Sequence, residues 1–179
     1  ATCIELAAEE EGGHVPDVIG KTKDISSPEL MACHELEIAI ASDNSMFDKY
    51  GSVSAVELHN IAVINDVQGD YTGNFNHDIE FVIVTQFVVT GTDPWTTSTD
   101  AGQLLGSFRN WGNAGNFGVA FDNGELWTDR DFDGATVGIA YVGGICNSFK
   151  YHCLQDYTSN ANLLRCMTSH ELGHNFNSN

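Results

Sequence analysis

The residues best able to do chemistry stand together near the end of the chain, as His170, Glu171 and His174 in the run His-Glu-Leu-Gly-His. On a helix, positions four apart share a face, so two imidazoles at this spacing can ligate one zinc ion. Glu171, one residue on, then reaches the water that such an ion carries. The combination suits hydrolysis, in which the metal polarises a carbonyl and the carboxylate moves a proton. The plainer alternative is a pair of solvated histidines on a helix surface. A catalytic zinc takes three protein ligands, so two histidines are not enough. In one extension of the motif a distant Glu is the third ligand; in another the pattern continues as H-E-x-x-H-x-x-G-x-x-H. Counted from His170, the Gly position holds Asn177, a residue type that tolerates a left-handed turn. The third His position falls just after Asn179.

The motif works only on a helix, and Asn160 or Asn162 is placed to cap one running through Leu163, Leu164, Met167, His170 and His174. Upstream, alternation predicts a strand over 36–42, ending at the cap or turn signal Asp43-Asn44. An amphipathic helix is expected over 52–68, with Val53, Val56, Ile61 and Ile64 at near-helical spacing. Residues 79–90, rich in β-branched and aromatic side chains and apolar on both faces, read as a central strand. A second helix is expected over 99–111, capped by Ser98 or Thr99. Strand, helix, strand, helix is the order of a parallel sheet built from crossovers, hence an α/β fold. Two short strands over 119–127 and 136–142, with no helix between them, point to an antiparallel pairing or an edge. Residues 1–34 lack periodicity and read as an irregular arm, leaving 35–179 as one domain.

Composition excludes several partners. The chain of 179 residues is 42% hydrophobic, enough for one core, and carries 25 acidic against 7 basic side chains, a net charge of −18. Such acidity repels nucleic acid and anionic membranes. No run approaches the roughly 18 apolar residues of a membrane span. The start Ala1-Thr2-Cys3-Ile4-Glu5 has no signal-peptide pattern, so an exported form is expected to have lost its signal already. Five cysteines, Cys3, Cys33, Cys146, Cys153 and Cys166, cannot all pair within the chain. A disulfide between Cys3 and Cys33 would tie down the arm. The histidines outside the motif, His14, His34, His59, His77 and His152, show no ligand spacing and are expected at the surface or in caps. The three tryptophans, Trp95, Trp111 and Trp127, are expected as core or loop anchors.

The run Asp-Gly-Ala-Thr-Val-Gly-Ile-Ala-Tyr-Val-Gly-Gly-Ile-Cys at 133–146, then Gln155-Asp156, then Thr-Ser-His-Glu-Leu-Gly-His-Asn at 168–175, resembles the adamalysin (reprolysin) family of metzincin peptidases. The likeness is dense from Gly134 to Asn175 and thinner but collinear from Leu36. It implies a mixed, mostly parallel twisted sheet of about five strands with an antiparallel edge strand, two crossover helices and a C-terminal active-site helix. It implies zinc on His170 and His174, with Glu171 as general base. It also implies protein or peptide substrates lying along the edge strand at Thr136, Val137, Gly138, Ile139 and Ala140, and a secreted location. A structural calcium is the further cofactor it suggests, at Glu37 and Asp100. In the family the Cys after the edge strand pairs near the domain's C-terminus. Applied here, Cys146 finds its partner after Asn179, leaving Cys153 with Cys166 and Cys3 with Cys33. The missing third His and the odd cysteine then share one explanation, a C-terminally incomplete domain whose partner is the rest of itself. The alternative is a non-catalytic metzincin-like domain that binds or builds extracellular structure around an incomplete zinc site.

Overall fold

A computed structural model describes residues 34–74 and 79–178. Its centre is β1 (His34–Ser42), in which alternate side chains take opposite faces of the sheet. Leu36, Ile38 and Ile40 enter one core, and Ala39 and Ala41 enter another on the far side. Asp43 ends the strand and caps α1 (Asn44–Tyr50), its carboxylate accepting from the amides of Ser45 and Met46. A long crossover helix, α2 (Val53–Asn74), leads to β2 (Ile79–Val88). The second crossover, α3 (Ala101–Asn113), leads to β3 (Asn123–Thr128). Then come β4 (Gly138–Ala140), β5 (Tyr151–Gln155) and the last helix, α4 (Ala161–Asn175).

The five strands form one sheet in the order β2-β1-β3-β5-β4. The pairs β1–β2, β1–β3 and β3–β5 are parallel, and β4 alone runs antiparallel, against β5. Helices cover both faces. On one, α2 and α4 pack through Val56, Ile64, Val67, Leu164, Met167 and Leu172 onto Leu36, Ile38, Trp127 and Leu154. On the other, Leu104, Leu105 and Phe108 of α3 pack onto Ala39, Ala41, Leu126, Tyr151 and Cys153. The expected α/β class, the five-stranded mixed sheet, the two crossovers and the antiparallel edge are all present.

Several expectations need correcting. The segment 79–90 is not central: β2 lies at the sheet edge among the described residues, and its side chains are mostly half-buried. Its apolar character reflects two covered faces, with Phe81 against the α2 side and Phe87 against Trp95 and Trp111 on the other. The segments 119–127 and 136–142 are not neighbours, because β5 lies between β3 and β4. The cap of α3 is Asp100, one residue beyond the expected Thr99.

Cys153 and Cys166 do not pair and are free thiols. The sheet separates them, since Cys153 is buried on the α3 side whereas Cys166 is exposed on α4, on the opposite face. Cys146 is disulfide-bonded, and its partner lies outside the described residues. Cys3, Cys33 and the expected arm also lie outside the described residues.

Candidate metal centre and general base

Helix α4 carries the motif because Asn160 caps it, accepting from the amides of Asn162 and Leu163, and because Leu164, Met167 and Leu172 bury one face. At its end Asn177 adopts φ 73°. Its N–H then reaches the carbonyl of His174 at 2.9 Å, and the N–H of Ser178 reaches that of Gly173 at 2.9 Å. This is a left-handed helix stop of the Schellman kind, the turn that asparagine tolerates best after glycine.

The stop also orients a ligand. Nδ1 of His174 lies 2.8 Å from the Ser178 carbonyl, which can only accept, so the ring proton sits on Nδ1 and Nε2 keeps its lone pair. That Nε2 is 3.0 Å from Nε2 of His170. Two nitrogens about 2.0–2.1 Å from a tetrahedral zinc would stand about 3.3 Å apart, so the two rings already fit a shared ion. Among the described residues no third His, Cys, Asp or Glu joins them.

Glu171 points the other way, into the protein, and is 6% exposed. Its carboxylate lies against β4: a Cβ placed on Gly138 would come 2.6 Å from Oε1 and 2.8 Å from Cγ. Burial raises the Glu171 carboxyl above its usual range, and the nearby imidazoles of His152, His170 and His174 oppose that rise. A buried carboxylate of raised basicity beside two metal-ready imidazoles is suited to accept a proton.

Of the expected substrate strand, Gly138, Ile139 and Ala140 form β4 and the other two precede it. Val137 still bonds to β5, its carbonyl accepting from Gln155 N–H at 2.8 Å, while Thr136 is exposed. The side of β4 away from β5 is the sheet's outer edge among the described residues.

The expected calcium pair is not brought together. The Glu37 N–H donates to the Asp122 carboxylate at 3.1 Å and its carbonyl accepts from the Asp122 N–H at 2.8 Å, just before β3. The Asp100 carboxylate is used by its own helix, accepting from Gln103 N at 2.9 Å and Gln103 Nε2 at 3.2 Å, and its neighbour Thr99 contacts Asp133, beyond the end of β3. Those bonds lower the Asp100 carboxyl below its ordinary value. Asp100 thus serves as the N-cap of α3.

Two histidines expected at the surface or in caps are not there. His59 is largely buried, with Nδ1 3.0 Å from the Tyr50 hydroxyl. His152 is wholly buried on β5, between Glu125 of β3 and Asn175, the residue after His174. The available signal was parity: His152 alternates with Tyr151 and Cys153, and so faces α4 as Leu154 does.

Known proteins bear on this site. A family profile described as Metallo-peptidase family M12 matches residues 34–179. The chain is 31% identical over 147 residues to a "Zinc metalloproteinase-disintegrin-like" protein of Cerberus rynchops, a match covering 80% of this chain and 23% of that one. It is 29% identical over 143 residues to "Snake venom metalloproteinase Ac1" of Deinagkistrodon acutus, covering 78% of this chain and 69% of the relative. The chain thus spans about a quarter of the first relative's length and about two thirds of the second's. A chain in the solved "Structure of a chaperone-substrate complex" shares the fold at a TM-score of 0.62 and 16% identity, over 80% of this chain and 23% of that one.

Proposed function

We propose that this chain, which belongs to metallopeptidase family M12, is the catalytic part of a secreted zinc endopeptidase acting on proteins or peptides. The observation that carries the reading is Glu171: a buried carboxylate one residue from two converging imidazoles and pressed against the sheet edge.

His170 and His174 would hold the zinc through their Nε2 atoms. When bound, zinc supplies Lewis acidity that activates water and polarises a peptide carbonyl. Substrate would add as an antiparallel strand along the outer edge of β4, beside Thr136, Val137, Gly138, Ile139 and Ala140. The missing Cβ at Gly138 leaves room for the Glu171 carboxylate directly beneath that edge. Glu171 takes a proton from the attacking water and returns it to the leaving amine, so it must begin ionised.

The test is Glu171→Ala in the full-length protein, with metal content measured alongside hydrolysis of an unfolded protein substrate. Zinc should be retained while kcat falls by a factor on the order of 10² to 10⁴, and chelation should abolish the activity of the unaltered protein. Hydrolysis that survives both treatments would overturn the roles given to zinc and Glu171, and a folded parent that holds zinc but hydrolyses no protein would overturn the reading in favour of a non-catalytic binding domain.

A further inference from the structure

Beneath the motif, four polar side chains on three elements form one buried chain of hydrogen bonds. Asn123, Glu125 and His152 are 0% exposed and Asn175 is 1% exposed. Nδ2 of Asn175 faces two backbone carbonyls, Tyr141 at 2.8 Å and Tyr151 at 3.2 Å. Carbonyls only accept, so this end is the amide nitrogen and the other end is the oxygen. That oxygen receives Nδ2 of Asn123 at 2.6 Å and stands 2.9 Å from Nδ1 of His152, which must therefore carry a proton. Nε2 of His152 stands 3.0 Å from Oε2 of Glu125, whose other oxygen accepts from the indole N–H of Trp127. One proton is shared across that contact, joining the imidazole and the carboxyl group into a pair enclosed between sheet and helix.

Such a pair is a poor source of stability, because apolar residues of similar volume often do as well or better. Its distinctive product is the fixed Asn175 oxygen. Asn175 is one turn after Glu171 and on the same buried face. Through its own amide it is bound to the strand ends at Tyr141 and Tyr151, and the backbone on either side is tied to the same loop, Gly143 N to His174 O at 2.8 Å and Ile145 N to Asn175 O at 3.2 Å. The last turn of α4 is thus held in one rotation against the β4 end of the sheet.

We infer that His152, held by Glu125, is a positioning residue for hydrolysis: through Asn175 it fixes the rotation of α4, and so the place of the Glu171 carboxylate beneath Gly138. The inference rests on the reading of Glu171 as general base. It concerns the carboxylate and not the metal, because the two ligating nitrogens converge within the helix itself.

The experiment compares the full-length protein with His152→Phe/Glu125→Leu, which removes both partners together, and with Asn175→Ala. The double variant should still fold, with its melting temperature lowered only by the Trp127 indole N–H left without its acceptor. Zinc affinity should stay within about threefold, whereas kcat should drop by about a hundredfold at nearly constant KM, the scale of a misplaced catalytic group. Amide exchange at Phe176 and Asn177 should quicken in both variants, a readout independent of activity. Unchanged kcat in a folded double variant, or loss of zinc in proportion to kcat, would overturn the inference. If Glu171→Ala in the parent leaves hydrolysis intact, the peptidase reading itself has failed; if that substitution is silencing and these variants are not, only the positioning role has.

Discussion

At the scale of single residues, the contact between Glu171 and Gly138 is the tightest constraint on the site. A methyl group at position 138 must displace Glu171 as far back as its Cγ, and burial leaves that side chain little room to move. Gly138→Ala is therefore expected to lower kcat at least tenfold, with zinc content unchanged, in a steady-state assay paired with metal analysis. Equal turnover would place the carboxylate elsewhere. His170, Glu171 and His174 were legible in the sequence because helical spacing alone joins them. His152 and Glu125 were not, because their meeting depends on the pairing of β3 with β5, and β5 is too short and too polar to announce itself. Asp100 shows the converse: an acidic residue just before a helix serves as its cap, a role its position alone announces.

At the scale of elements, the turns that lead into the site are held by Arg130. Its guanidinium forks between Asp43, the cap of α1, and Asp93, in the segment after β2. Both carboxylates are almost fully enclosed, the side chains being 0% and 2% exposed. Burial raises the Asp43 carboxyl, and hydrogen bonds from Ser45 and Thr128, together with Arg130, resist the rise. Arg130→Met would strand two buried carboxylates at a cost of about 3 to 5 kcal/mol. Urea unfolding should show that loss, and a change under about 1 kcal/mol would mean that water already screens the pair. The helices and the strand β1 were readable from periodicity, but strand order was not. Residues 79–90 looked central because both faces are covered, and coverage of the faces does not reveal which edges are paired.

At the scale of the whole molecule, two phenols are sealed into the layers. Tyr71 lies between α2 and α4, and Tyr151 lies beneath α3, with its hydroxyl 3.0 Å from Oδ1 of Asn113. Burial pushes both up to about 12 from the ordinary 10.0. A phenol harder to ionise when folded favours the native state fully below pH 10, and that advantage is lost as pH climbs from 10 towards 12. Absorbance titration should find at least three tyrosines silent at pH 10 in the folded protein, these two and Tyr50, which burial and its hydrogen bond to Asp156 raise further still, and thermal stability should decline across that window. Ionisation of every tyrosine near pH 10 without unfolding would contradict the packing of both helices. The acidity evident from composition belongs to this scale as well, and it argues against nucleic-acid partners without indicating the fold.

The register of β1 with β3 has a consequence in time. It brings together segments as far apart as Glu37 and Asp122, 85 positions along the chain, and parallel pairing over such a span is a slow step in folding. The two imidazoles of α4 need none of it, for they converge within one helix. Glu171 meets Gly138 only once β4 has joined β5, β5 has joined β3 and β3 has joined β1. The pairing of the two imidazoles is thus a product of local helix formation, whereas the seat of Glu171 is a product of the closed sheet, and in a partly folded chain the first can exist without the second.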